Sequence, residues 1–140
     1  MNTTKRDDRR GTRRGWAWVA AGLAVVMTGV HVIVGGWMIA GPLLESGLET
    51  LPRMTLYLCW HGITIVLAGM AALFADGAIR GRRASVALAG GLAAAFFVLG
   101  WGYILGFGLS PLDLPQWIAF GPMAMAAGLA LRTGRGSQAG

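Results

Sequence analysis

The sequence predicts an all-α integral membrane protein: a four-helix bundle, up-down-up-down, with its N- and C-termini cytoplasmic. Three observations predict it. Apolar residues make up 55% of the chain and charged residues only 13%, about half the charged share of a soluble domain, and mean hydropathy is +0.58. The apolar residues gather in four segments, about 15–44, 54–75, 84–109 and 114–131. Each is near or above the roughly 20 residues that a helix needs to cross a hydrocarbon core. Finally, Lys and Arg alternate along the chain, 6, 1, 3, 0 and 2 in the first tail, the three connections and the last tail. The positive-inside rule then puts both ends in the cytoplasm and the first and third connections outside.

The elements follow in order. Residues 1–14 hold Lys5, Arg6, Arg9, Arg10, Arg13 and Arg14 and are expected to be a disordered basic tail, with its arginines at anionic headgroups. The segment from Gly15 to Leu44 far exceeds the roughly 7 to 15 apolar residues of a signal-peptide core, so an uncleaved helix is expected. Glu45, Glu49 and Arg53 mark a solvated outer loop, and the second segment follows from about Met54 to Ala75. The connection "DGAIRGRRA" carries Arg80, Arg82 and Arg83. The third segment supplies Gly90, Gly91, Gly100, Gly102, Gly106 and Gly108. Small residues let helices approach where the hydrophobic effect gives no help, and Gly102 and Gly106 have small-xxx-small spacing. In "SPLDLPQ" Asp113 reads as a plain loop residue. The fourth segment holds Pro122 beside Gly121, which predicts a kink. Residues 132–140, with Arg132 and Arg135, are expected to be a second disordered tail. Helices are preferred to barrel strands because the segments do not alternate apolar and polar residues. Trp16, Trp18, Tyr57, Trp101, Tyr103 and Trp117 lie near segment ends, as interfacial aromatic belts require.

Composition and motifs narrow the function. A net charge of +6 and a pI of 11.1 suit a nucleic-acid binder, but the cations stand at segment ends and nucleic acid is not an expected partner. The expected partners are the lipid bilayer and a second copy or another membrane subunit, with the third segment as the contact between copies. Cys59 is the single cysteine, which rules out an internal disulfide and reads as an inert buried thiol. There is no P-loop, H-E-x-x-H, G-x-S-x-G or pair of carboxylates, so no enzyme is expected. Small proton-coupled exporters need an acidic residue within the membrane, and the four segments hold none.

What remains is His31 and His61, on consecutive segments. Their positions average 46, the middle of the connecting loop. Pro42 lies 11 residues beyond His31 and Arg53 lies 8 residues before His61, so both sit roughly 12 to 16 Å below the helix ends. Equal depth is predicted; the rotation of either helix is not. Several readings stay open. In the structural one, the pair is a buried polar lock between helices, with Thr28 and Tyr57 as local partners one turn away and a hydrogen bond worth roughly 0.6 kcal/mol. In a second, two imidazoles on facing helices hold a b-type haem axially. In a third, His61, Trp60 and Tyr57 hold a quinone or other lipid-soluble ligand. Met27 and Met38 near His31 would suit a soft metal such as Cu(I), although Met at helical spacing is commonly core. The last reading is a small transporter component. The candidate cofactor-binding residues are therefore His31, His61, Trp60 and Tyr57, with haem b or a quinone as the candidate cofactor.

"VHVIVGGWMIAGPLL", a short charged loop, and "RMTLYLCWHGITIVLAGMAALF" together resemble a group of small bacterial four-span inner-membrane proteins. The matching positions are His31, Gly35, Pro42, Leu43, Arg53, Leu56, Trp60 and His61, within residues 30–74; the second half resembles the group in hydropathy alone. The group often carries a glutamate where this chain has Gly36. The resemblance implies a multi-pass inner-membrane location and a joint role for His31 and the Trp60–His61 pair. It implies no activity.

Overall fold

The computed structural model describes the backbone of residues 3–112 and 117–132, and the side chains of 13–112 and 118–132. Among these residues the structure is helical and holds no strand. Helix α1 opens as Thr3–Val30, continues as a π-helical stretch His31–Ala40 and closes with an α-turn Gly41–Leu44. Helix α2 is Thr50–Arg80, α3 is Arg83–Phe107 and α4 is Trp117–Leu131. Three stretches are long and apolar enough to span a membrane, Arg13–Leu44, Thr50–Arg80 and Arg83–Phe107, while the fourth apolar helix is shorter. At 15 residues, α4 is about 22 Å long.

The helix ends differ from those expected, and each difference has a local cause. α1 starts at Thr3, inside the stretch expected as a tail; its lysine and arginines are good helix formers. The π-helical stretch was not expected. It contains Gly35 and Gly36 and runs into Pro42, and the amide of Gly41 bonds the carbonyl of Gly36 five residues back. Two poor helix formers followed by a ring that clashes one turn back favour a wider turn over the α register. α2 runs past Ala75 to Arg80 because Asp76 and Arg80 pair at 3.5 Å one turn apart, a spacing that supports a helix. It stops at Gly81, whose φ of 70° suits glycine; its amide bonds the Gly77 carbonyl at 2.9 Å. At the end of α3, Gly108 repeats the device with φ of 64°, and Leu109 closes back on Ile104 at 2.9 Å. α4 continues across Pro122. Residues 113–116, including Asp113, and the expected tail 133–140 lie outside the described residues.

Each helix packs on its sequence neighbours, and α4 returns to α1. α1 contributes Ala17, Ala20, Ala21, Ala24 and Met27 to the core, and α2 contributes Leu67, Met70, Phe74 and Ala78. α3 adds Val86, Ala89 and Ala93, and α4 adds Phe120, Met123, Ala126, Ala127 and Ala130. These recur every three or four residues, the period of one helix face. Alanine on α1 and α4 lets backbones approach closely. So do particular glycines. A Cβ on Gly77 would strike Val86, and one on Gly90 would stand 2.6 Å from the Ala127 Cβ. The expected glycine pair behaves otherwise: Gly102 and Gly106 face open space, and so does Gly91.

The core is concentrated at the end where Arg13, Arg80 and Arg132 lie. Toward the loop at 45–49 the helices part. There Ala40 and Ile104 are buried, while Trp37 is 81% and Leu105 75% exposed. One half of the bundle is thus closed, and the other is open.

Candidate functional site

The site lies where the closed half gives way to the open one. A cavity of about 450 Å³ is lined from α1 by Met27, His31, Ile39 and Leu43. Leu56, Cys59, Trp60, Ile63 and Leu67 line it from α2, and Phe96 and Phe120 close it from α3 and α4. Its volume is within the range of small-ligand sites, and its apolar lining with few polar groups is their usual character.

His31 is the imidazole in this lining. It continues the buried face of α1, four residues past Met27, and is itself half-buried. Its ring stacks on the Trp60 indole, with centroids 3.9 Å apart and planes 17° apart. Its Nε2 lies 3.3 Å from the Trp60 carbonyl oxygen. A carbonyl accepts only, so Nε2 carries the proton and donates; in the neutral ring Nδ1 then holds the lone pair. The same carbonyl accepts the Thr64 hydroxyl at 3.2 Å. Gly35, one turn after His31, makes room for the indole: a Cβ there would lie 2.5 Å from Trp60 Cη2. His31, Gly35 and Trp60 therefore form one interhelical contact.

His61 is placed elsewhere. It is exposed, and its ring meets Tyr57 edge-on at 4.6 Å with planes 81° apart. It does not line the cavity. The equal-depth expectation holds to within one residue, because His31 meets Trp60 across the hairpin. Rotation decides the rest. The inward face of α2 is Trp60, Ile63, Leu67, Met70 and Phe74, spaced by threes and fours, and the next residue along a helix is turned by about 100°. His61 follows the stripe 61, 65, 68, on which Ile65 is 72% exposed. The expected His31–His61 pair is therefore corrected to His31–Trp60, and the two imidazoles offer no shared interior for axial haem ligation.

Other expectations also shift. Of the local partners, Tyr57 does meet His61, but the Thr28 hydroxyl donates to the Ala24 carbonyl of its own helix at 2.7 Å. Met27 lines the cavity beside His31 while Met38 is exposed, so the two sulfurs do not converge. Among the described residues, no three His, Cys, Asp or Glu side chains gather as a metal site. Cys59 is exposed at the cavity rather than buried, because it precedes the inward stripe by one residue. Arg53 is not simply solvated: its Nη1 donates to the carbonyls of Leu44 at 3.5 Å and Ser46 at 3.4 Å, clasping the loop. Asp76, which helix α2 now includes, accepts the Ser85 hydroxyl at 2.6 Å and pairs with Arg80 and Arg82. It lies at the charged end of the bundle, at the close of α2.

No protein-family model, curated protein or solved structure matches this chain.

Proposed function

We propose that the chain is a non-enzymatic multi-pass protein of a bacterial inner membrane, an accessory subunit that holds a lipid-soluble, ring-bearing ligand of quinone class between its helices. The single observation that carries this reading is the cavity at the closed half's rim, lined mainly by apolar side chains with His31 and Cys59 among them. The His31–Trp60 contact locks α1 to α2 and fixes the imidazole. With Nε2 committed to the Trp60 carbonyl, the neutral ring presents Nδ1 as an acceptor for a ligand hydroxyl, while aromatic faces of the lining pack on the ligand ring. The alternating arginines support an up-down-up-down bundle with both ends cytoplasmic, so that the cavity lies toward the outer leaflet. Haem is not part of this reading, since it rested on His61 turning inward.

Titration of the detergent-purified protein with a short-chain benzoquinol, followed by calorimetry, tests the proposal. Saturable binding that weakens at least tenfold in His31→Leu and is unchanged in His61→Leu is expected. Absence of saturable binding, or equal losses in the two variants, contradicts it.

A further inference from the structure

A second cavity lies at the opposite, charged end. It encloses about 410 Å³ and is lined by Arg13 and Arg14 of α1, by Arg80, Arg82 and Arg83 around the α2–α3 turn, and by the last residues of α4. Five arginines, two from α1 and three from the α2–α3 turn, line one space. The carboxylate opposing them among the described residues is Asp76, 3.5 Å from Arg80 and 3.6 Å from Arg82. Arg83 is fixed as well, donating from Nη2 to the Leu131 carbonyl at 2.7 Å. Arg13 and Arg14 have no such carboxylate or carbonyl partner among the described residues. The space itself is kept by the turn at Gly81 and by Gly77, which lets Val86 close against α2.

We infer that this cavity is a binding site for a phosphate oxyanion, with Arg13 and Arg14 as the residues that grip it. Guanidinium is a planar fork that bonds phosphate oxygens in pairs and stays charged at any working pH. Arg80, Arg82 and Arg83 are held in place by Asp76 and Leu131 and supply a fixed positive field. Arg13 and Arg14 supply the free donors. Basic pockets between membrane helices on the cytoplasmic side commonly take anionic lipid headgroups, and the phosphodiester of such a lipid and a soluble phosphate share the chemistry this site recognises.

The test is native mass spectrometry of the full chain in detergent, with phosphatidylglycerol, phosphatidylcholine or inorganic pyrophosphate as probes. One phosphatidylglycerol per chain, bound at least tenfold tighter than phosphatidylcholine and weakened at least tenfold in R13Q/R14Q, assigns the site to a lipid headgroup. Pyrophosphate binding with the same arginine dependence and no preference between the lipids assigns it to a soluble phosphate. R132Q removes a charge outside the cavity and should leave either affinity unchanged. R13K/R14K keeps both charges and loses both forks, and should weaken binding at least threefold. Binding that is indifferent to R13Q/R14Q, unchanged in R13K/R14K, or absent with all three probes overturns the inference. The melting midpoint of each variant, measured alongside, shows that it remains folded.

Discussion

A difference of one residue separates the candidate site from the exposed surface of the bundle. His31 stacks on Trp60 at 3.9 Å, while His61, its neighbour in sequence, is exposed. Depth was legible, because residues equidistant from a hairpin turn lie level. Rotation was not: only the structure shows that Trp60, Ile63, Leu67, Met70 and Phe74 form the inward face of α2, and depth alone had selected both histidines. Nothing in the sequence could show that Gly35 would receive the indole, since that depends on where a second helix passes. His31→Leu forfeits a stack worth about 0.5 to 1.5 kcal/mol and a hydrogen bond worth roughly 0.6, and should lower the thermal midpoint in detergent, whereas His61→Leu should not. Gly35→Ala drives a Cβ into Trp60 and should cost about 1–3 kcal/mol. Gly36→Ala, which meets open space, should be neutral or mildly stabilising.

At the scale of elements, the apolar segments were evident from composition, and three of them are long enough to span a membrane. Their ends were less evident. Charged residues were expected to close the second segment at Ala75, yet Asp76 and Arg80 pair along the helix and it runs on to the left-handed Gly81. The π-helical stretch depends on the joint effect of Gly35, Gly36 and Pro42, which periodicity does not register. Glycine content was equally ambiguous. Six glycines of the third segment pointed to close packing, but the contact with α4 is made at Gly90, against Ala127, while Gly102 and Gly106 face outward. Which glycine touches a neighbour is set by helix rotation. Gly90→Ala should therefore lower the thermal midpoint appreciably, as an overpacked α3–α4 contact costs about 1–3 kcal/mol, and Gly102→Ala should leave it unchanged.

For the whole molecule, one physical asymmetry organises the structure. Buried residues, many of them alanine, close the bundle at the arginine end, while the helices part toward the loop at 45–49; an apolar cavity lies where the two halves meet and an arginine-lined one at the closed end. The charge alternation legible in the sequence predicts that reporter enzymes active only in the cytoplasm will function at both termini and be silent at residues 45–49. The asymmetry itself was hidden, because it depends on where four stripes meet in three dimensions. The most direct measurement of the central claim is nitrogen NMR of the two imidazoles, with ¹⁵N-histidine in lipid nanodiscs, before and after addition of a short-chain benzoquinol. The His31 signals, assigned by their loss in His31→Leu, should move on addition while those of His61 stay fixed. Equal movement of both histidines, or movement of His61 alone, would contradict it.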